Sequence, residues 1–457
     1  MLKSSVQPEA SAPPASAAYA YLIAVVAALS GLLFGFDIAV INGAIVFLRE
    51  QFSLSDFQTE VAAGALLLGC AGGAAVAGTL SDRFGRKKIL ILSAILFAVS
   101  SIAAGLPRGM NEFIAARLLG GVAVGVASML APLYIAENSP PRIRGRLVAF
   151  NQMAIVSGIL LAYLVNWLLS GIGPNAWRWM FAVAAIPAIL FWIAMLFVPE
   201  SPRWLIKQGR HEESMSVLTR LVGPAEAKAE FEDIRQTVAE EENSLLALLQ
   251  PGLRRPLVIA VALAVLQQIT GVNTVLYYGA LIFREQVGEQ SRTAAIGVNV
   301  IVGATNFLAT IIAIWIIDKV GRKPLLLTSA GGMGVSLVLL GLTFQQTPPP
   351  ATLILVVILC YVFCFAIGMG PGVWVLMSEL FPTRIRGRAM AIATVSLWLA
   401  CLLLTSTFLS LVSAIGASGT FWLYAGISFF TFLFIWRVTP ETKGKTLEQI
   451  ERMWKRH

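Results

Sequence analysis

Long stretches without charged residues alternate with short polar segments along most of the chain. The stretches without Asp, Glu, Lys or Arg are 61–80, 89–106, 147–174, 179–199, 256–283, 293–317, 324–378 and 389–436. A membrane-spanning helix needs about 20 apolar residues. The last two stretches are each long enough for two spans, and we expect turns at 345–350 and 416–419 to divide them. Two further candidates, 18–48 and 113–136, hold one charge each, so the pattern predicts about twelve spans.

Backbone polar groups inside a bilayer must be satisfied within the segment, so the predicted fold class is an all-α membrane protein. Composition agrees, because 57% of the 457 residues are hydrophobic and 13% are charged, against about 25% charged in soluble domains. The net charge of +9 does not indicate nucleic-acid binding. The basic residues lie in short loops beside the spans, as the positive-inside rule expects, and no basic face with stacking aromatics occurs outside them.

The cysteines predict neither disulfides nor a metal site. All four lie in apolar stretches and are typical of small core residues. Cys360 and Cys364 share a helix face but have no His or acidic residue nearby, so we expect no metal and no cofactor. Residues 1–18 are polar and rich in Pro and Ala. They lack the charged start and short apolar core of a cleaved signal, so we expect a flexible N-terminus.

Three segments of the chain recur in the same order. Residues 81–88 reappear at 317–324, 137–146 at 379–388, and 199–201 at 440–442, with offsets of 236, 242 and 241 residues. Such near-constant offsets indicate two tandem halves of about six spans each, the parallel repeat of the major facilitator architecture. The predicted units are a terminus at 1–18, an N-terminal half at 19–200, a helical linker at 201–253, a C-terminal half at 254–440 and a tail at 441–457.

The repeated basic loops follow the second and fourth spans of each half, so they share one face. By charge that face is cytoplasmic, and both termini and the linker fall on it. We therefore expect a multi-pass protein of the inner (cytoplasmic) membrane that functions as a monomer. The linker mixes Glu and Lys with apolar residues, which predicts short amphipathic helices, and Thr446–Lys455 resembles one more.

Two charged residues lie inside the predicted spans, Asp37 in the first and Arg117 in the fourth. A charge near the bilayer centre costs about 2.5–3.5 kcal/mol on insertion scales, and such residues usually pair and mark transport pathways. At about 1.5 Å of rise per residue, the two charges fall at similar depth. Two readings stay open: a fixed ion pair that locks helices together, and a switch that binds and releases a proton. Both His residues, His211 and His457, lie outside the spans.

The motifs together resemble the sugar porter family of the major facilitator superfamily, which includes bacterial proton-coupled sugar symporters and animal facilitative glucose transporters. The resemblance runs from about Tyr19 to Gly444. Its motifs are 82–87, Arg-Leu-Leu-Gly-Gly at 117–121, Pro-Glu-Ser-Pro-Arg at 199–203, Gln-Gln-Ile-Thr-Gly-Val-Asn at 267–273, Tyr-Tyr at 277–278, Gly-Pro-Gly-Val-Trp at 370–374 and Pro-Glu-Thr-Lys-Gly at 440–444.

The resemblance implies a sugar-binding pocket and an outer gate. The implied pocket residues are Phe34, Gln152, Gln267, Gln268, Asn273, Asn306, Phe365, Trp374 and Trp398, and the gate residues are Tyr277 and Tyr278. Amides donate and accept hydrogen bonds, which suits sugar hydroxyls, and aromatic faces suit the C–H faces of a sugar ring. A single amide could equally join two helices, but the cluster in span seven favours a ligand. Ile159 stands where xylose symporters carry a glutamine, and Leu397 stands where many members carry an amide, so the identity of the sugar stays open.

The resemblance also implies a cytoplasmic salt-bridge gate. Its implied members are Asp82, Arg83, Glu137, Arg144, Glu200, Asp318, Arg322, Glu379 and Arg386. Pairs that form between the halves in the outward-open state and break in the inward-open state would set that equilibrium. A role in topology alone would explain the basic residues, but not the repeated Glu137 and Glu379.

The function that follows is secondary active transport of a monosaccharide by alternating access, with proton symport. Asp37 matches the acid of the family's proton symporters, where facilitative members commonly carry an amide. The alternatives are a facilitative uniporter, in which Asp37 and Arg117 are structural, and a non-transporting sugar sensor, a class that usually has long cytoplasmic tails. No nucleophile–base pair is visible in the sequence, so we do not expect an enzyme.

Overall fold

The computed structural model describes residues 15–239, 250, 252–381 and 385–443. Within these residues, twelve helical segments are long and apolar enough to cross a bilayer, and no β-strand occurs. The predicted all-α membrane fold with twelve spans is therefore confirmed. The helix expected at 446–455 lies outside the described part of the chain, as do residues 1–14.

The first six spans and the linker comprise ten helices. These are α1 (Ala15–Gln51), α2 (Asp56–Phe84), α3 (Arg86–Gly105), α4 (Met110–Glu137), α5 (Arg144–Leu169), α6 (Ala176–Ala182), α7 (Ala185–Phe197), α8 (Pro202–Lys207), α9 (His211–Val222) and α10 (Pro224–Ala239). The sixth span consists of α6 and α7. The helix α1 begins inside the segment predicted as a flexible terminus, and α8, α9 and α10 lie within the predicted helical linker.

The last six spans comprise eight helices. These are α11 (Arg254–Ile269), α12 (Val272–Leu281), α13 (Arg292–Val320), α14 (Arg322–Thr343), α15 (Ala351–Cys364), α16 (Gly370–Glu379), α17 (Arg386–Thr405) and α18 (Phe408–Val438). Two of these six spans are discontinuous. The seventh consists of α11, α12 and a π-helical turn at Ile282–Gln286, and the tenth consists of α15 and α16 joined by a π-helical turn at Phe365–Met369.

The boundary between the last two spans differs from the prediction. The sequence predicts a turn at 416–419, whereas α17 ends at Thr405 and α18 begins at Phe408. Gly416, with φ of 76°, kinks α18 instead. The true turn contains neither glycine nor proline. A hydrogen bond from the Thr407 hydroxyl to the Leu403 carbonyl, 2.8 Å long, supplies the local polar contact that threonine can offer a chain leaving a helix.

The internal repeat is visible in the turn after the second span of each half. Gly85 and Gly321 have φ angles of 102° and 105°, a region open to glycine and costly for other residues. A Cβ on Gly85 would lie 2.3 Å from Glu200 Oε2, and one on Gly321 would lie 2.7 Å from Glu441 Oε2. In each half, a glutamate carboxylate therefore packs against the equivalent glycine turn, which supports a duplicated architecture.

Glycines also let spans of the N-terminal half approach closely. A Cβ on Gly121 of α4 would lie 1.9 Å from the Leu66 carbonyl oxygen of α2, and one on Gly158 of α5 would lie 2.0 Å from that of Leu32 on α1. Small residues at helix contacts are typical of membrane proteins, where packing depends on close van der Waals approach. The charged residues of α1 and α4 therefore lie in a tightly packed bundle.

The linker helices dock on the N-terminal half. The Trp204 indole of α8 donates to the Asp82 carbonyl at 2.9 Å, and Arg144 at the start of α5 pairs with Glu230 of α10 at 3.6 Å. The helix α9 packs against α1 and is joined to α8 by a hydrogen bond from Ser214 to the Pro202 carbonyl. The three helices thus form one body with the first six spans.

We call the face that carries the loops 81–88 and 317–324 the basic face, and the other the opposite face. Between described residues, the hydrogen bonds and ion pairs that join the two halves lie at the opposite face or near the middle of the spans. Glu50 at the end of α1 pairs with Arg284 and Arg292, and deeper in α1 Asn42 donates to the Leu276 carbonyl at 2.9 Å. The two halves are therefore closed against each other at the opposite face.

Candidate functional site

A chain of amide hydrogen bonds runs through the middle of the seventh span. Gln267 donates to the carbonyls of Met369 and Gly370 at 2.6 and 3.1 Å. Gln268 donates to Gln267 Oε1 at 3.0 Å, and Asn273 donates to Gln268 Oε1. Three predicted pocket residues are thus brought together, and their amides connect α11 and α12 to the middle of the tenth span.

The two discontinuous spans meet beside these amides. The seventh span breaks at Gly271, whose φ of 100° ends α11, and Tyr361 of α15 donates to the carbonyl of Thr270 at 3.0 Å. Substrate sites of transporters are commonly formed by broken helices near the bilayer centre, and π-helical turns are frequent at functional sites. The backbone geometry therefore points to the same place as the amides.

Aromatic residues from both halves meet next to this cluster. The rings of Phe34 on α1 and Trp398 on α17 have centroids 5.5 Å apart. Trp398 is buried, and its indole Nε1 has no hydrogen-bond partner among described residues. A buried donor without a partner is costly, so this N–H is suited to an incoming acceptor. Phe365 and Trp374 are half-buried.

Gln152 and Asn306 are less closely tied to the cluster. Gln152 is half-buried on α5 and Asn306 is buried on α13. Among described residues, neither side chain forms a hydrogen bond with another residue. Their part in binding a ligand stays a prediction, as does that of the other pocket residues.

The predicted gate residues, Tyr277 and Tyr278, are fully buried where the halves are closed against each other. The Tyr278 hydroxyl donates to the Thr405 carbonyl at 2.7 Å, and its ring stacks on Phe408 with centroids 5.3 Å apart. Both rings lie on the opposite-face side of the amide chain. That placement suits a gate, and the role itself stays a prediction.

The two charges predicted inside the spans are in direct contact. Arg117 Nη1 donates to Asp37 Oδ1, and Nη2 donates to the backbone carbonyl of Asp37 at 2.9 Å. The guanidinium also lies 5.1 Å from the centre of the Phe181 ring. Both side chains are buried. The second carboxylate oxygen, Oδ2, accepts no hydrogen bond from a described residue.

The charges at the basic face pair within each half. Glu137 pairs with Arg86 at 3.1 Å, and Glu379 pairs with Arg322, another predicted member of the gate, at 2.9 Å. Asp82 and Asp318 pair with the same two arginines, Arg86 and Arg322. Of the other predicted members, Arg83 is exposed over the Phe84 ring, and Arg386 donates to the Phe381 carbonyl.

Sequence reasoning missed Arg86 and Glu441 as members of this cluster. The repeat offset of 236 residues that relates Asp82 to Asp318 also relates Arg86 to Arg322, so the repeat was the signal that could have found Arg86. Glu441 is found in the same way, because it is the repeat partner of Glu200.

Glu200 and Glu441 occupy equivalent places but differ in electrostatics. Each accepts hydrogen bonds from two backbone amides at the start of a helix, of Arg86 and Lys87 or of Arg322 and Lys323. Burial raises the pKa of Glu200 despite these bonds. Burial also acts on Glu441, but the backbone hydrogen bonds outweigh it and lower the pKa of that carboxyl. The extent of burial therefore decides whether the pKa of the glutamate is raised or lowered.

At the opposite face, the halves are joined by polar contacts that the sequence patterns did not predict. Glu60 on α2 is 1% exposed, and its carboxylate accepts hydrogen bonds from the Ser410 amide at 2.8 Å and the Ser410 hydroxyl at 2.7 Å. Arg49 pairs with Glu285 at 3.0 Å. Glu60 directly precedes the charge-free stretch 61–80. An acidic residue at the start of a span was the sequence feature that could have indicated this contact.

The duplicated ion pairs allow a matched stability test. The Arg86–Glu137 side chains are 7% and 6% exposed, whereas those of Arg322 and Glu379 are 13% and 25% exposed. Removing one partner of a buried pair strands the other and costs about 3–5 kcal/mol, more than at a better solvated site. We expect Glu137→Gln to lower the thermal unfolding temperature in detergent by more than Glu379→Gln. Equal shifts would show that burial does not govern the contribution of these pairs.

The fold and the site define a class of protein: a membrane transporter of two six-span halves, with broken helices and polar residues between them. Comparison with known proteins gives the family. A family model described as "Sugar (and other) transporter" matches residues 23–454, and the chain belongs to this family.

Individual relatives agree over nearly the whole chain. The arabinose-proton symporter of Bacillus subtilis (strain 168) is 39% identical over 446 residues, 96% of each chain. The D-xylose-proton symporter of Escherichia coli (strain K12) is 38% identical over 477 aligned positions, again 96% of each. A solved structure of a major facilitator proton:xylose symporter bound to 6-bromo-6-deoxy-D-glucose has a TM-score of 0.84 and 37% identity, covering 96% of this chain and 100% of that one. The predicted major facilitator fold is therefore confirmed.

Proposed function

We propose that the protein carries a monosaccharide across the cytoplasmic membrane by alternating access, with symport of a proton. Membership of the sugar transporter family supports the transport of a sugar. The similarity to symporters named for arabinose and xylose supports proton coupling and a pentose as cargo. The glucose derivative bound to the similar xylose symporter supports testing hexoses as well.

The observation that carries the proposal is the burial of Asp37 and Arg117 within the same bundle that contributes Phe34 to the amide and aromatic cluster. Phe34 and Asp37 lie about one helical turn apart on α1. Protonation of the Asp37 carboxylate therefore takes place close to the predicted pocket. Ionisable residues are expensive inside a membrane and mark ion pathways. Amides and an unpartnered indole N–H suit the hydroxyls and ring oxygen of a sugar.

We further propose that the basic face is cytoplasmic, as the positive-inside rule expects. The closed opposite face is then the outer face, and the structure is an inward-facing state. In this state Glu137 and Glu379 pair within their own halves, which agrees with a gate whose contacts between halves form only in the outward-facing state.

The test is sugar uptake into proteoliposomes that contain the purified protein. A panel of pentoses and hexoses is offered with and without an inward proton gradient. Accumulation of one sugar above its external concentration, only with the gradient, supports symport. Equilibration that ignores the gradient favours a uniporter, and no uptake of any sugar overturns the proposal.

The uniporter has one structural observation in its favour. Arg117 is bonded to the backbone carbonyl of Asp37 as well as to its carboxylate, which is the arrangement expected of a fixed pair that joins α1 to α4. The proton gradient in the uptake assay separates this reading from symport.

The pocket itself is tested by Gln268→Ala. We expect weaker binding of the transported sugar, by about 2- to 12-fold, because the loss of one hydrogen bond costs about 0.5–1.5 kcal/mol. Isothermal titration calorimetry measures the affinity, and an unchanged unfolding temperature shows that the protein is folded. Ser396→Ala on α17 is a control, because its hydroxyl is bonded only to the Ile392 carbonyl of its own helix. Unchanged affinity in Gln268→Ala would remove this residue from the site.

A further inference from the structure

The two oxygens of the Asp37 carboxylate have different surroundings. Oδ1 accepts a hydrogen bond from Arg117, whereas Oδ2 is buried and has no partner among described residues. A carboxylate whose oxygens differ in this way has a preferred site for a proton, because the oxygen facing a cation favours the charged form.

Oδ2 shares a narrow space with the Ser100 hydroxyl of α3. A Cβ built on Gly120 of α4 would lie 3.0 Å from Asp37 Oδ2 and 2.9 Å from Ser100 Oγ. The absence of a side chain at Gly120 therefore leaves these two oxygens facing the same point. We call this space, bounded by Asp37, Ser100 and Gly120, the carboxyl niche.

The hydrogen bonding of Ser100 decides what it can offer to Oδ2. Its hydroxyl proton is donated to the Phe97 carbonyl at 3.1 Å, which leaves the oxygen lone pairs as acceptors. An ionised carboxylate only accepts hydrogen bonds, so it forms none with another acceptor. A protonated carboxyl has an O–H group that can donate to the Ser100 oxygen. The niche therefore offers a hydrogen-bond acceptor to a proton on Oδ2.

We propose that the transported proton adds to Asp37 Oδ2 and is held there by a hydrogen bond to Ser100, with Gly120 keeping the niche open. The step forms one O–H bond at Oδ2 and breaks one O–H bond of a hydronium ion, which becomes water, and it breaks no covalent bond within the protein. Arg117 keeps its hydrogen bond to the Asp37 backbone carbonyl throughout, so protonation does not require the two helices to separate. This inference rests on the proposed proton symport and names Ser100 and Gly120 as positioning residues for it.

Other titratable groups surround the carboxylate and belong in any account of its pH dependence. They are Arg117 from α4, Cys70 from α2 and Tyr277 from α12. None of them changes when Ser100 is replaced, so a shift in pH dependence on that replacement reports the niche.

The test measures proton-driven sugar uptake by the full-length protein in proteoliposomes as a function of external pH. Ser100→Ala removes the acceptor, and we expect half-maximal uptake to require about a 3- to 10-fold higher proton concentration, a shift of about half to one pH unit toward acid. Ser100→Thr keeps the hydroxyl and should restore the wild-type midpoint. Ser101→Ala is a matched control, because that hydroxyl donates to the same Phe97 carbonyl.

A second measurement does not depend on transport. Infrared difference spectra taken across the pH titration should show the C=O band of protonated Asp37 at higher frequency in Ser100→Ala, because a carboxyl that loses its hydrogen-bond acceptor has a stronger C=O bond. An unchanged midpoint and band in Ser100→Ala overturn the niche while proton symport stands. A wild-type protein whose uptake does not respond to the proton gradient overturns the symport proposal and the niche together.

Discussion

Replacing Asp37 with Asn is expected to abolish the accumulation of sugar against its gradient. Asn keeps the shape and a hydrogen-bonding oxygen but binds no proton in the physiological range, so the proton gradient can no longer act on the protein. For one proton per sugar, wild-type accumulation is about 10-fold per unit of pH gradient, and the variant should only equilibrate. Counterflow exchange should survive, because it needs only binding and reorientation.

The measurement is uptake of labelled sugar into proteoliposomes, by accumulation and by counterflow. Asp233→Asn is a control with the same chemical change at an exposed position on α10, and it should leave both activities intact. Accumulation by Asp37→Asn would show that the Asp37–Arg117 pair is structural. Loss of both activities would indicate that the carboxylate supports folding or binding rather than energy coupling.

Replacing Glu60 with Ala is expected to open the face that is closed in this structure. Hydrogen bonds to charged groups contribute about 1.5–3 kcal/mol each, and a stranded buried donor adds a penalty. Glu60 accepts two such bonds from Ser410. Rehydration of the carboxylate in the open state offsets part of the free energy of these two hydrogen bonds. We expect the remainder to be lost in Glu60→Ala, so that the population open at this face rises about 10-fold.

Spin labels at Phe57 and Ile415 measure the change. Both positions are exposed, on α2 and α18, which belong to different halves. Glu60→Ala should add longer distances to their distribution in the absence of sugar. Glu50→Gln is a comparison, and its effect should be smaller because the Glu50 side chain is 41% exposed and exposed pairs contribute little. Identical distributions in Glu60→Ala and wild type would show that this contact does not hold the face closed.

Much of the fold follows from the distribution of charge along the chain. Charge-free stretches locate the spans because a bilayer penalises every ionised group inside it, and the repeat locates the two halves. The pairing of Asp37 with Arg117 was predictable for the same reason, since no other charge lies inside the predicted spans of the N-terminal half. The turn at 406–407 was not predictable. Glycine occurs both at turns and at kinks within a helix, and Gly416 lies at a kink.

The contacts of the charged residues near the ends of the spans could not be read from the patterns used above. Arg83 and Arg86 lie in one basic loop, and the positive φ of Gly85 decides which of them turns toward Glu137. The burial of Glu60 depends on α18, which is 350 residues away in the chain. The conformational state could not be predicted either, because one sequence must be stable in both the inward-facing and the outward-facing arrangement.

The docking of α8, α9 and α10 on the N-terminal half gives the molecule an internal reference frame. A fluorophore on α9 should keep a constant distance to any site on α3 throughout the transport cycle, whereas its distance to α14 should change with every turnover. Single-molecule recordings from such a pair of probes would therefore separate rigid rotation of the halves from bending within one of them.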